Sequence, residues 1–257
     1  MTTSTVILPG DLRLLARSGA FNGATAGVAR GFVQANLMIV PRSAAFDFLL
    51  FCQRNPRPCP LVEVLEAGQV SPLCAPDADL RSDLPGYRVY RHGELAGEVG
   101  DISALWQDDF VSFLIGCSFS FEGALIDAGI PLRHVEQQRN VAMYITTIPC
   151  QPAGQFSGNM VVSMRPVRSC HVARAVEISA RFPQVHGAPV HVGHPEAIGI
   201  NDLMCPDFGD SVQVADDEVP VFWACGVTPQ VIACQSRTAF CITHAPGKMF
   251  VTDIINR

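Results

Sequence analysis

A chain of 257 residues with 48% apolar and 16% charged residues can bury a substantial core, as one large domain or two modest ones, which excludes a disordered or solvating chain. Its formal net charge of −6, with no basic block, excludes a phosphate footprint and with it nucleic acid as a partner. In chain order, Gly19, Gly23, Gly27 and Gly31 recur every four residues. On one helix they would cost roughly 1 kcal/mol each relative to alanine, so loops and turns are expected there. Leu37 to Val40 reads as a short buried strand stopped by Pro41. Ser43 then caps a helix with Phe46, Leu49 and Leu50 on its apolar face. Arg54 to Pro60 holds three prolines and predicts a rigid extended loop. Tyr87–Arg91 and Leu95–Val99 around His92-Gly93-Glu94 predict a hairpin.

Trp106, Phe110, Phe113 and Leu114 suggest a helical stripe that breaks at Gly116-Cys117-Ser118, with Ser118 capping a second helix through Glu122, Leu125 and Ala128. Val141–Ile148 and Asn159–Met164 read as strands, and Ser169–Ala180 as a helix. Further strands are expected at Pro189–Val192, Val219–Ala224, Ala239–Thr243 and Met249–Thr252. Strands alternating with helices imply an α/β layered protein: a main α/β domain of residues 1–105 plus 186–257, and an inserted α+β unit of residues 106–185.

Ten cysteines occur without one C-x-x-C pair, and several lie in apolar runs, so reduced thiols are expected in place of a disulfide framework or a structural zinc. No basic region leading into an apolar core and a small-residue cleavage site opens the chain, and the apolar stretch 110–121 is too short and too interrupted to span a bilayer. The expectation is a soluble cytoplasmic protein without membrane contact.

Phe222 to Gln230 carries the most chemistry. An apolar strand reaches Cys225, breaks at Gly226 and restarts as a helix with Thr228 at its N-cap and Pro229 at N1, which gathers a thiol, a hydroxyl and free N–H groups where an anion or oxyanion could sit. The structural alternative is a well-capped turn with a buried cysteine. Cys117-Ser118 with Glu122 repeats the theme, Glu122 as acid or base and Ser118 as a carboxylate ligand, against the plainer reading of an N-cap followed by an acid in the first turn. His186, His191 and His194 lack the cysteines that would complete a tetrahedral set, so no metal is assigned, and a single general acid or base from this group, or from His244, is the better reading. Asp207-Phe208-Gly209-Asp210 has none of the kinase elements around it; Asp210 is kept as a pocket candidate beside the simpler reading of an acidic turn. Arg139, Arg165 and Arg181 offer planar forks for a carboxylate.

Several phrases together carry a resemblance. They are Gln34-Ala35-Asn36-Leu37, Phe48 to Pro56, Ile115-Gly116-Cys117-Ser118-Phe119, Val161 to Pro166, Arg181-Phe182-Pro183, His186 to His191, Asp207 to Asp210, Phe222 to Gln230 and Ile242 to Gly247. Over essentially its whole length the chain resembles the hydro-lyase family that includes the bacterial domain-of-unknown-function 1445 proteins and the mitochondrial D-glutamate cyclase domain. The resemblance implies a three-layer α/β domain with a smaller two-layer one, and a carbon–oxygen lyase acting on a small carboxylic or amino acid. The chemistry it implies is D-glutamate to 5-oxo-D-proline with loss of water, without a cofactor. His194, where the family commonly has an acid, and Lys248, where it commonly has histidine, depart from the pattern. For that chemistry Arg165 or Arg139 would capture a carboxylate, Glu122, Asp210 or His244 would move protons, the N–H groups after Gly226 with Thr228 would serve the oxyanion, and Cys117 or Cys225 could act as nucleophile. The expected partner is a small carboxylate, with a homodimer as one assembly the sequence allows. A different lyase and a non-catalytic small-molecule-binding or regulatory protein stay open as alternatives.

Overall fold

The computed structural model describes residues 7–256. Its helices are α1 (Pro9–Arg17), α2 (Arg42–Arg54), α3 (Phe119–Asp127), α4 (Arg133–Glu136), α5 (Val172–Ala180) and α6 (Thr228–Gln235). Its strands are β1 (Phe32–Pro41), β2 (Leu61–Val64), β3 (Tyr87–Arg91), β4 (Glu94–Val99), β5 (Phe110–Gly116), β6 (Ala142–Pro149), β7 (Asn159–Arg168), β8 (His191–Val192), β9 (Glu218–Ala224), β10 (Phe240–His244) and β11 (Phe250–Ile255). The result is a mixed α/β fold with two sheets. The larger runs β2-β5-β1-β10-β3-β4 with β11 also on β1, the smaller runs β6-β7-β9-β8, and the pairings in both are antiparallel.

Alternation along the strands divides the core. Met38 and Val40 of β1, Phe113 and Ile115 of β5, Val162 and Met164 of β7, and Phe222 and Ala224 of β9 meet α2 and α6 in one shared core. On the far face of the larger sheet, Leu37, Ile39, Leu114 and Ile242 pack under Leu65, Leu80 and Leu84 of the long loop before β3. On the far face of the smaller sheet, Val167, Val221 and Trp223 pack against Phe121 and Leu125 of α3 and Ala175 and Ile178 of α5.

Two expectations of local structure change. The segment 110–116, expected as helix, is β5, because it is buried on both faces between β1 and β2; a continuous apolar run of seven has no period to tell the two apart. In α2 the buried face is Ala44, Ala45, Phe48, Phe51 and Cys52, whereas Phe46 is 72% exposed. The sheets also cut across the expected domain limits. β5 belongs to the larger sheet, while β8 and β9, from beyond residue 186, complete the smaller one. Strand pairing is decided by edges distant in sequence, which no local pattern in residues 106–185 encodes.

The hairpin stands where expected, with His92 and Gly93 both at positive φ (50° and 81°) between β3 and β4. Among the described residues no helix is long and apolar enough to cross a membrane.

Phe48 fastens the two sheets together: it is fully buried and meets Phe113 edge-on at 4.7 Å and Phe156 at 5.3 Å. Phe48→Ala is expected to lower unfolding stability by about 3–5 kcal/mol in a denaturant titration, with the fold retained.

Candidate active site

Two strand-to-helix corners face each other. β5 ends at Gly116 and passes through Cys117 and Ser118 into α3; β9 ends at Ala224 and passes through Cys225, Gly226 and Val227 into α6. One corner thus comes from each sheet. A third element meets them where one edge of β1 changes partner: Gln34 and Ala35 pair with β11, Met38 and Ile39 with β10. The changeover leaves the Leu37 N–H free to donate to His244 Nδ1 at 3.2 Å.

Between these parts lies a cavity of about 340 Å³, at the small end of the range for ligand sites. Phe119, Val141, Met143, Phe208, Val227 and Val231 give it apolar walls, and Asn36, Ser118, Asn140, Gln230 and His244 supply polar groups. Arg88 of β3, its Nε held by Glu98 at 2.6 Å, is the single charged residue that the described residues give the lining.

The backbone and the buried network behind the wall fix what each group can do. Both hydrogens of the Asn36 carboxamide are donated, to the Ile115 and Gly116 carbonyls at 3.2 and 3.0 Å. Gly226 packs directly on that carboxamide, and a Cβ there would stand 2.0 Å from Asn36 Nδ2, so only glycine fits. His244 Nδ1 lies near the Leu37 N–H and 3.0 Å from Gln230 Nε2; the Leu37 carbonyl is farther, at 3.4 Å. An N–H can only donate, so Nδ1 is the acceptor and the ring hydrogen sits on Nε2. Burial holds His244 near a pKa of about 4, so the ring is neutral at pH 7.

Both cysteines of the corners line the cavity. Burial pushes the Cys117 thiol up to about 12 and the Cys225 thiol up to about 11, and the Phe119 and Val227 N–H groups offset only part of that. Each is a neutral thiol at pH 7.

The expected carboxylate and proton-transfer groups are largely elsewhere. Arg165 has no exposed surface and does not border the cavity; it lies 5.4 Å from the ring centroids of both Phe121 and Trp223. Its Nη2 donates to Glu122 Oε1 at 2.5 Å and Ser118 Oγ at 3.0 Å, and its Nη1 to Ser163 Oγ at 3.0 Å. With its Nε also on Glu122 Oε1 at 3.1 Å, four of the five N–H donors are taken, and the fork lies outside the cavity lining. Glu122, also contacted by His134 Nε2 at 2.9 Å, is held well below the usual carboxylate range: burial pushes it up, and Arg165 and His134 more than reverse that. It is a structural anion, unsuited to moving protons in the cavity.

Thr228 is the first residue of α6 and Val227 its N-cap; the hydroxyl bonds Val161 and Cys225 backbone and so ties α6 to β7. Arg139 is spent on the Ser211 carbonyl at the surface, and Asp210 accepts from the Asn140 N–H outside the cavity. The turn 207–210 contributes Phe208 instead, with Gly209 pressed against the Val141 carbonyl. His186 Nδ1 lies 2.7 Å from the Arg57 carbonyl, away from the lining, and burial lowers its pKa to about 4. The structure therefore gathers Cys117, Ser118, Cys225, Gly226 and His244. Asn36 and Arg88 were missed; Gln34-Ala35-Asn36-Leu37 was a recognised phrase, but nothing local marks an arginine in a hairpin strand as facing a cavity. No cluster of three or more metal-ligating side chains occurs among the described residues.

The D-glutamate cyclase family model matches residues 111–253, which contain both corners and His244. A "putative hydro-lyase" of Bacillus licheniformis is 60% identical over 247 residues, 96% of this chain and 94% of its own length. YcsI of Bacillus subtilis, with the same designation, is 59% identical and covers 96% of both chains. The chain belongs to the D-glutamate cyclase family. Membership places it with the lyases. A solved nitrogen repressor-like protein of Methanococcus jannaschii superposes at a TM-score of 0.40 with 10% identity, too loosely to carry an argument.

In this member of the D-glutamate cyclase family, Glu122→Gln removes the anion from a buried guanidinium and is expected to cost about 3–5 kcal/mol of stability, whereas Arg139→Ala at the surface should change it by less than about 0.5 kcal/mol. His186 and His244 add a pH dependence. Their folded-state pKa of about 4 lies below the ordinary 6.5, so below pH 6.5 the unfolded chain takes up protons that the folded one refuses. Thermal midpoints should be level between about pH 7 and 8 and fall as pH drops from 6.5 to 4.

Proposed function

We propose that this cavity converts D-glutamate to 5-oxo-D-proline and water. The observation that carries the reading is a small, largely apolar cavity on whose wall the described residues place one cation, Arg88, two helix N-termini, α3 and α6, and no carboxylate to repel an acid. Arg88 receives the α-carboxylate. The γ-carboxyl lies at the two corners, where the positive ends of α3 and α6 stabilise charge on the tetrahedral intermediate, and His244 Nε2–H adds a neutral donor.

The proton balance suits such a wall. Ring closure takes two protons from the ammonium and delivers two to the departing oxygen, so the reaction needs a relay and no net base. The neutral Cys117 and Cys225 thiols, each able to give and take a hydrogen, are suited to that relay, and Ser118 stands beside them. A strong permanent base has no place in the scheme, in keeping with the location of Glu122 outside the cavity.

Incubating the protein with D- and L-glutamate, 5-oxoproline and hydroxy acids, with products identified by mass spectrometry, tests the reading. Formation of 5-oxo-D-proline from D-glutamate, or the reverse, is expected; no turnover of either would defeat it and leave the binding-protein alternative. Arg88→Gln should raise KM by roughly 10–100-fold with a smaller change in kcat, while Cys117→Ala and Cys225→Ala should lower kcat by about 10²-fold or more.

A further inference from the structure

The groups around the cavity differ in one respect that bears on specificity. Ser118 Oγ accepts from Arg165, so its own hydrogen is left to donate. His244 presents Nε2–H, because Nδ1 is occupied, and Arg88 can only donate. Asn36 is the opposite case. Its Nδ2 lies within 3.2 Å of two carbonyl oxygens, which fixes the orientation of the carboxamide, since reversing it would set oxygen against oxygen. Its Oδ1 receives no hydrogen bond from the described residues, yet Asn36 is 4% exposed and borders the cavity. Gly226, without a Cβ, clamps the carboxamide from the other side. A rigid acceptor without a partner among the described residues, on a side chain otherwise buried, therefore stands among donors.

We propose that Asn36 Oδ1 recognises the substrate's nitrogen and makes the site selective for a donor at that position. The inference rests on the cavity being the site of the small acid, and extends that reading to a specificity-determining residue. The same nitrogen is an ammonium in glutamate and a lactam N–H in 5-oxoproline, and both can donate to Oδ1, so one acceptor holds the atom on both sides of the reaction. An analogue that replaces the nitrogen by an ether or carbonyl oxygen sets lone pairs against Oδ1, and the acceptor left unpaired is the source of the discrimination.

The test compares isosteres on the whole protein by calorimetry: 5-oxo-D-proline against the γ-lactone of the same handedness, 5-oxotetrahydrofuran-2-carboxylate, and D-glutamate against 2-oxoglutarate. The expected result is at least about tenfold tighter binding of each nitrogen compound by the unaltered protein, and collapse of that preference in Asn36→Leu. Because Asn36→Leu also removes two buried hydrogen bonds, Gly226→Ala serves as a second variant: it keeps the carboxamide but displaces it, and should likewise reduce the preference. Equal affinity for lactam and lactone in the unaltered protein overturns the role of Asn36 while leaving the cavity reading standing. A preference that persists in either folded variant also overturns it. Failure of all four acids to bind overturns both readings at once, and so is distinct from failure of this one alone.

Discussion

A guanidinium with no exposed surface constrains everything built around it. Arg165 sits in the middle of the smaller sheet, between the rings of Phe121 and Trp223, and its charge is tolerable there only because Glu122 of α3 is ionised beside it and the Ser118 and Ser163 hydroxyls accept from it as well. Glu122 lies in the first turn of α3, so the ion pair fixes where that helix begins relative to β7, and Ser118, one residue before the helix, is held by the same fork. A buried pair of this kind is weak evidence for net stability. Its effect is positional: α3 cannot slide or rotate on the sheet without stranding a charge.

The larger sheet supplies the complementary device. An antiparallel strand normally spends its N–H and C=O groups along both edges, but β1 hands one edge from β11 to β10 at Asn36 and Leu37. The freed Leu37 N–H sets the tautomer of His244, and the Asn36 side chain ties the end of β5 just before Cys117 while Gly226 of the opposite corner lies against it. Two corners from two sheets thereby meet over one interrupted strand edge. The cavity is a consequence of that interruption, since a β1 paired along its whole edge would have neither the loose amide nor the room.

How much of this was legible in the chain follows from how local each signal is. Cys225-Gly226 and Cys117-Ser118 stood out because a strand ending at a cysteine and restarting as a helix is written in adjacent residues, and the hairpin at His92-Gly93 is equally local. Glu122 and Arg165 were legible as residue types but not as partners: 43 positions separate them, and burial converts two apparent site residues into a structural pair. Arg88 shows the reverse. In sequence it is one more arginine in a strand, and only the pairing of β3 with β10 brings it to the cavity of His244. The run Phe110–Gly116 misled for a different reason, since full burial on both faces erases the alternation that identifies a strand.

The protonation states of the wall bear on what chemistry the proposed reaction could use. A site that kept an ionised carboxylate beside the ammonium would hold its proton by a strong ion pair and oppose attack by the nitrogen; one that kept a thiolate beside the γ-carboxylate would place two anions together. Burial avoids both here, because it raises the pKa of Cys117 and Cys225 and lowers that of His244, leaving three neutral groups around a substrate that brings its own charges. Arg88, partly exposed at the mouth and screened by Glu98, can hold a carboxylate without governing the interior. In such a wall the protons released by nitrogen have the departing oxygen as their strongest available acceptor, so the cavity favours transfer within the substrate over loss of protons to the protein.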